Sequence, residues 1–498
     1  MTIEEELIAL REEKKRLHTQ LTQRDARIQQ LEAVVEQQNT LLEQMREQMS
    51  RLTQQVKSLQ ERQSKDSHNS HQPPSSDRFV RQPKSLRKKS EKKAGGQPGH
   101  QGSSLQWSQT PDEVVEQHVE QCEACQHDLQ AVPVCHVERR QVLDVPPPRL
   151  IVREYRAEQK QCPVCQHITA APFSKEVTAP IQYGPSIGAT AVYLVQQQLL
   201  PLARAGEVMR DLLGVQMSEG TISDLIRRCA VQLREIEQQI KDTLKEAEVI
   251  HQDETGLYVA GKRYWEHVTC TPTLTHYHVD PSRGQRALEA IGILPHFKGI
   301  SIHDGWASYW QYRCEHACCN VHLLRELTFL AEEQGAAWAT DLKTLLLDMK
   351  AATEQARERG ERRLNSLEVV DWEAQFLSIL DEGDLAHPRA LAPPGKRGRS
   401  KQSPARNLLD RLRKHPQAFL CFLEDLRVDF DNNLAERDLR MVKVQQKISG
   451  CFRSLAGAQA FSRIRGYLST LRKQGLPLLS ALQATLSGHP VLPSFQRT

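Results

Sequence analysis

Residues 1–62 contain neither glycine nor proline and repeat apolar side chains with a heptad period. One seam runs Ile3, Leu10, Leu17, Arg24, Leu31, Gln38, Met45, Leu52, Leu59. The other runs Leu7, Lys14, Leu21, Ile28, Val35, Leu42, Met49, Val56. Only Lys14, Arg24 and Gln38 interrupt them. A 3.5-residue repeat sustained over so many turns is satisfied by helices wound together, each covering the other's seam. A lone surface helix is the alternative, but nothing else in the segment can hide the seam. The expectation is a coiled coil over 1–62 that joins two copies, with the three polar positions fixing register at some cost in stability.

At 498 residues the chain has room for about three domains. Lys and Arg number 66 against 62 Asp and Glu, a net +4, so partners must be read from local charge. The N-terminus is acidic and lacks a signal-peptide core, and no apolar run is long enough to span a membrane. Twelve cysteines in a chain this long do not mark a small disulfide scaffold. A cytoplasmic protein with reduced thiols is expected, and its paired cysteines read first as metal ligands.

Residues 63–105 lose periodicity and read as a basic flexible linker. Arg78, Arg81, Lys84, Arg87, Lys88, Lys89, Lys92 and Lys93 face only Glu91 in the stretch after Asp77. This is either a solvated tether or an arm that tracks DNA phosphates, each neutralised phosphate adding about −0.9 to the log–log salt slope. Cys122-x₂-Cys125 and Cys162-x₂-Cys165 then suggest a four-thiolate structural Zn²⁺ site in a domain over 106–175. The long gap between them is expected to hold a hairpin, 137–145 with 150–159, turned at Pro146-Pro-Pro148. Cys135, His127 and His167 are alternative ligands; disulfides or a vestigial site are the rival readings. Residues 176–245 read as helices: one stopped before Pro201, one ended by Gly214, and one capped by Ser218 with Thr221 near its start. That is a helix-turn-helix outline, with the third helix as groove reader, although ordinary bundles use the same caps and turns.

From 246 the pattern changes to strands, at 249–252, 257–259, 264–270 and 275–279, then a helix at 283–291 and a strand at 300–303. Two apolar runs end in Asp253 and Asp304. Aspartate is depleted in strands, and a carboxylate isolated in a sheet is costly to bury. The strand order is that of an RNase H-like core, whose first and fourth strands are neighbours, which sets Asp253 beside Asp304. Cys319 reads as packing; His322 reads as packing or as the edge of a site. Residues 326–425 form a mainly helical insertion, with a basic loop at Lys396, Arg397 and Arg399; its Trp338 and Trp372 read as packing before base stacking. The core resumes at 426–470, and 471–498 reads as a C-terminal tail.

A helix beginning near Asn433 carries Glu436, with Arg440, Lys443 and Lys447 along the same side. Leu434, Met441, Val444 and Ile448 are expected to face inward. Taken alone, this is a capped helix, Asn433 capping and Glu436 pairing with Arg440. With Asp253 and Asp304 it becomes the third carboxylate of an oxygen-ligand site for Mg²⁺ or Mn²⁺, two ions of which clamp a phosphodiester.

Nearly the whole chain resembles a transposase of bacterial insertion sequence family 66. The matching pieces include the coiled coil, Pro-Pro-Ser-Ser-Asp77, Gly-Gly-Gln-Pro-Gly-His100, the cysteine knuckles, Leu200-Pro201 and Ser218-Glu-Gly-Thr221. They continue with Asp253-Glu-Thr255, Asp304-Gly-Trp with Tyr309, Cys319-x₂-His322, Asp431-Asn-Asn-Leu-Ala-Glu436-Arg-Asp-Leu-Arg440 and Lys447-Ile-Ser-Gly-Cys-Phe-Arg453. The resemblance implies a metal-dependent enzyme with Asp253, Asp304 and Glu436 as catalytic acids, terminal inverted repeats and target DNA as substrates, and small accessory proteins of the same element as partners. Such a protein is cytoplasmic and nucleoid-associated when bound to DNA. The expected architecture is multidomain α+β: coiled coil, zinc-binding β-hairpin, helix-turn-helix-like domain, and RNase H-like core with a helical insertion. The rivals are a non-catalytic zinc and helix-turn-helix regulator, and a nuclease of the same fold that does not join strands.

Overall fold

The computed structural model describes residues 3–63, 69, 105–145, 148–174, 176–390 and 400–496. In chain order the elements are α1 (Ile3–Gln63), β1 (Gln159–Gln161), β2 (Ile168–Ala170), α2 (Pro185–Val192), α3 (Leu202–Leu213), α4 (Glu219–Gln232) and α5 (Arg234–Lys245). The sheet strands follow: β3 (Val249–Val259), β4 (Lys262–Cys270) and β5 (Thr275–Asp280), then α6 (Gln285–Ile291), β6 (Ile300–His303) and β7 (Glu315–Cys318). Helices α7 (Asn320–Gln334), α8 (Ala337–Glu358), α9 (Ser366–Ala386), α10 (Pro404–Lys414), α11 (Pro416–Glu424), α12 (Asn433–Ser449), α13 (Leu455–Lys473) and α14 (Leu478–Leu486) complete the chain. The result is a mixed α/β protein with a helical N-terminal region. It divides into two units, one of Met1–Lys84, Val321–Gln355 and Asn365–Lys414, the other of Ser85–Asn320, Ala356–Leu364 and His415–Thr498.

In the first unit α1 is a single unbroken helix. Its seam residues, among them Leu10, Leu17, Leu21, Leu31 and Leu52, are exposed along its length. Helices α8, α9 and α10 pack closely. A Cβ on Gly383 of α9 would lie 2.7 Å from Leu409 and 3.1 Å from Trp338, so glycine permits the approach. Trp338 is buried there, edge-on to His387, and is a packing residue. Arg406 ties the bundle with ion pairs to Asp384 (2.7 Å) and Asp410 (2.8 Å).

The second unit is built on a five-stranded sheet ordered β5-β4-β3-β6-β7. β3, β4 and β5 form an antiparallel meander, and β6 and β7 add in parallel. The sequence suggests two strands with a turn after Asp253; instead β3 runs straight through it. The chain reverses only at Ala260 (φ 48°) and Gly261 (φ 76°), a two-residue hairpin turn of the kind that suits strand twist. Thr255 and Leu257 continue the alternation, so the segment pairs with β4 throughout.

Helices α2 to α5, α13 and α14 share one apolar core with Ile250 of β3 and with Leu274, just before β5. The segment 176–245 therefore shares its core with the sheet, and the C-terminal tail at 471–498 contributes α14, which lies against α2 and α4. Gly214 (φ 67°) closes α3, and Ser218 caps α4 by accepting the Thr221 N–H at 3.1 Å. A second cluster seats α12 and the start of α13 against β3, β4 and β5 through Ala435, Leu439, Val442, Leu257 and Val268. The buried stripe of α12 thus falls one position away from the expected one. Leu434, Met441 and Val444 pack at its margin, while Ile448 is exposed.

The cysteine region differs more. Among the described residues, 137–145 and 150–158 form no strands; the short pair β1–β2 flanks the second knuckle instead. Val142, Ile151 and Val152 are almost fully exposed. An apolar strand face is stable where a second layer covers it, and among the described residues none covers these.

Candidate active site

Strands β3 and β6 pair in parallel with Val249 opposite Ile300 and His251 opposite Ile302. The same register continued two residues sets Asp304 opposite Asp253. Both carboxylates are half-buried. Burial pushes the Asp253 carboxyl well above the usual carboxylate range. The neighbouring charges of Glu254, Asp304 and Glu436 add to the rise, and the Glu254 N–H, donating to Asp253 Oδ1 at 2.8 Å, opposes it. Three acids drawn from positions 253, 304 and 436 thus share one electrostatic neighbourhood.

Glu436 is delivered by the first turn of α12. The expected cap, Asn433, is instead the first helical residue, and its N–H donates to Asp431 Oδ1 at 2.9 Å. The residue that fixes this helix is Asn432, which is buried. Its Nδ2 donates to Gln252 O (2.7 Å), its Oδ1 meets His251 Nδ1 (3.1 Å), and its N–H donates to Cys319 Sγ (3.2 Å). Cys319 Sγ also lies within 4.8 Å of a Glu436 carboxylate oxygen. One amide therefore pins the start of α12 to the strand that carries Asp253. Sequence reading missed it because an Asn-Asn pair before a helix looks like a cap.

Glu254 and Arg283 were missed as well. Glu254 is buried, takes the Tyr309 hydroxyl at 2.5 Å and pairs with Arg283 at 2.7 Å. Arg283 also reaches Asp304 at 3.8 Å. Burial raises the Glu254 carboxyl, the Asp304 charge adds to this, and Tyr309 and Arg283 oppose it. The loop bearing Asp304 is held from behind. Gly305, at φ 83°, donates its N–H to His303 Nδ1 at 3.0 Å, and the Trp306 N–H donates to Asp304 Oδ1 at 2.9 Å. Because His303 Nδ1 accepts, its Nε2 carries the proton and donates to His316 Nδ1 at 3.0 Å. His316 Nε2 then donates to Tyr312 O at 3.2 Å.

The remaining sequence candidates are scattered. Arg440, Lys443 and Lys447 are exposed on α12, and Lys443 Nζ donates to Gly256 O at 2.7 Å. Ser218 and Thr221 hydroxyls are 2.9 Å apart and serve the α4 cap. His322 lies in the first turn of α7, in the first unit. Arg87, Lys88, Lys89, Lys92, Lys93, Lys396, Arg397 and Arg399 lie outside the described residues.

The two knuckles are built alike. Cys122 N–H donates to His127 O and Cys162 N–H to His167 O, each at 2.9 Å, with Gln126 and Gln166 both left-handed. In each, backbone N–H groups aimed at the first sulfur lower that thiol, those of Cys125 and Ala124 for Cys122 and those of Cys165 and Val164 for Cys162. Among the described residues, these four thiols do not gather within 4.8 Å of one another.

Residues 180–460 match the Transposase IS66 family. The chain belongs to that family. The matched span holds all three clustered acids and excludes the four knuckle cysteines. Residues 2–106 match a second family, DUF6444, whose function is unknown. Two relatives in Sinorhizobium fredii (strain NBRC 101917 / NGR234) are similar over most of their length. The uncharacterized protein y4jD is 21% identical, covering 76% of this chain and 77% of its own. The uncharacterized protein y4hP is 24% identical, covering 70% and 68%. Among the described residues of this IS66-family chain, no helix is long and apolar enough to cross a membrane.

Proposed function

We propose that this chain is a DDE-type DNA transposase that binds the terminal inverted repeats of its element, cleaves at the ends and joins the freed 3′-OH to target DNA. The observation that carries the reading is the electrostatic convergence of Asp253, Asp304 and Glu436 within the family-matched span. The strand order, with Asp253 on β3 and Asp304 just past the end of the adjacent parallel β6, supports an RNase H-like core.

The donor set fits hard divalent cations. It is all carboxylate oxygen, and Asp253 carries a repulsion from its neighbours that a cation relieves. Asp253, Asp304 and Glu436 would hold two Mg²⁺ or Mn²⁺ ions, which supply charge neutralisation and alignment of the attacking and leaving oxygens. The chain's own part is positioning. Asn432 fixes the height of Glu436 against β3, Arg283 and the Trp306 N–H orient Asp304, and Arg440, Lys443 and Lys447 hold flanking phosphates. Water attacks the phosphodiester at the element's end in line, breaking one P–O bond and forming another. The released 3′-OH repeats the exchange on target DNA, so catalysis is mainly orientation and electrostatics.

Around this centre, Cys122, Cys125, Cys162 and Cys165 would hold a structural Zn²⁺. The basic arm with Arg87, Lys88, Lys89, Lys92 and Lys93, the loop with Lys396, Arg397 and Arg399, and the capped helix at Ser218 and Thr221 would grip the end sequence. The exposed seam of α1 would pair two copies and so bring two ends together, with accessory proteins of the element as further partners. The test is a cleavage-and-joining assay on DNA carrying the element's own ends, with Mg²⁺. Wild type nicks and joins; Asp253→Ala and Glu436→Ala bind but do neither. Binding without any nicking by wild type would show a regulator, and cleaved ends that never join would show a nuclease.

A further inference from the structure

Four side chains stack in alternation beside Asp304. The Arg283 guanidinium carbon lies 4.0 Å from the Trp306 ring centroid and 5.0 Å from that of Trp265. The Arg263 guanidinium carbon lies 4.6 Å from the Trp265 centroid. Register explains the row. Glu254, Gly256 and Tyr258 of β3 stand opposite His267, Trp265 and Arg263 of β4, so all six share one face of the sheet, the face opposite Asp253, and the row meets the acids at Asp304, beyond the end of β6. Gly256 leaves room for Arg263 to lie across it; a Cβ there would be 3.3 Å from Arg263 Nη2. Lys443 adds a cation at the edge of the same strand.

The internal needs of the fold do not account for the whole row. Arg283 serves Glu254 and Asp304, which requires no tryptophan. Arg263 is exposed and makes no ion pair among the described residues. Trp306 remains 40% exposed and Tyr258 50%. An exposed indole flanked by cations is suited to an unpaired base and its phosphates, because every base has a π-face and stacking needs no hydrogen-bond match. The bases of an intact duplex are already stacked on one another. Trp306 also sits two residues from Asp304 and donates its N–H to that carboxylate. A base stacked there has its own phosphate beside Asp304, the carboxylate that Arg283 also reaches.

We propose that Trp306, backed by Arg283, Trp265 and Arg263, is a stacking site for an unpaired nucleobase of the DNA strand whose phosphate lies at Asp304. The choice of DNA as the ligand rests on the transposase reading. The test uses the full chain in EDTA and two probes, a duplex oligonucleotide carrying one unpaired 2-aminopurine and its fully paired counterpart. Wild type binds the unpaired probe more tightly and quenches its fluorescence. Trp306→Ala loses about tenfold in affinity for the unpaired probe, the low end of base–aromatic stacking, and far less for the paired one; Trp306→Phe keeps most of the discrimination. Arg263→Ala weakens both probes alike and lowers the log–log salt slope by about 1. Equal losses on both probes for Trp306→Ala, or discrimination that survives it, overturn the proposal. Failure of wild type to nick when Mg²⁺ is restored, with discrimination intact, overturns the catalytic reading alone. Failure of wild type to bind either probe overturns both.

Discussion

Glu266 offers a quantitative test of how the sheet is buried. It lies on β4 opposite Thr255, with no exposed surface. Ser462 Oγ donates to Ala458 O at 3.0 Å, and neither Glu266 oxygen has a well-placed donor among the described residues. Burial pushes its carboxyl from 4.5 up to about 8, with Ser462 pulling the other way. The group is therefore neutral in the folded protein at pH 7 and ionised in the unfolded chain. Between pH 4.5 and about 8 the native state keeps a proton that the unfolded state releases, so stability falls as pH rises. It is unaffected below 4.5 and levels off above about 8. At about 1.4 kcal/mol per pH unit, the loss by pH 7 is somewhat more than about 3 kcal/mol. Glu266→Gln keeps the shape, carries no charge and does not titrate. Its buried amide, like the buried acid, lacks good partners, so that cost cancels to first order. The variant should match wild type near pH 4.5 and exceed it by up to about 3 kcal/mol at pH 7. The two units need not unfold together, so one melting curve is the wrong observable. Urea unfolding followed by pulse-labelled hydrogen exchange, read on peptides from β3, β4 and β5, isolates the sheet. A difference between the proteins that is constant or shrinks as pH rises refutes the argument and shows Glu266 to be charged and paired.

Three further outcomes are expected. Asn432→Ala leaves the Gln252 carbonyl and His251 Nδ1 buried without their partner and should cost about 2–4 kcal/mol, at about 1–2 for each group; urea unfolding read on α12 peptides checks it, and a near-neutral variant contradicts it. Ser218→Ala should cost about 1 kcal/mol of α4 stability, and Ser218→Asp should restore it, because either oxygen caps the Thr221 N–H. If both variants lose DNA affinity while stability recovers in the second, the hydroxyl is a contact and not only a cap. Leu17→Glu with Leu31→Glu puts charges in the exposed seam of α1 and should convert a dimer to a monomer in light scattering without changing the sheet's stability; an unchanged mass contradicts the pairing.

What could be read from sequence follows from how far each interaction reaches along the chain. The α1 heptad, the Gly214 turn and the Ser218 cap are local devices, and each appears where its residues stand. Asp253 and Asp304 are legible because a carboxylate inside or just beyond an apolar run is anomalous wherever it occurs. The turn expected after Asp253 is a misreading of Gly256, which breaks no strand because Arg263 of β4 covers the gap it leaves. The hairpin expected over 137–159 fails for the opposite reason. The apolar residues there, among them Val142, Ile151 and Val152, are exposed among the described residues, and a strand's apolar face is stable only against another layer, which the spacing and the prolines do not supply. Glu436 shows the limit most clearly. Its helix is visible in the sequence, but its height and rotation against the sheet are set by Asn432 on Gln252 and by Ala435 and Leu439 on Leu257 and Val268. None of these partners lies near it in sequence. Arg283 is chosen as a partner by Glu254 and Asp304 in the same way, through the folded sheet and not through any motif of its own. The identity of the acids is therefore written locally, while their geometry is written in the residues that hold them. Asn432 and Arg283 are where substitutions should disturb the placement of the acids most directly.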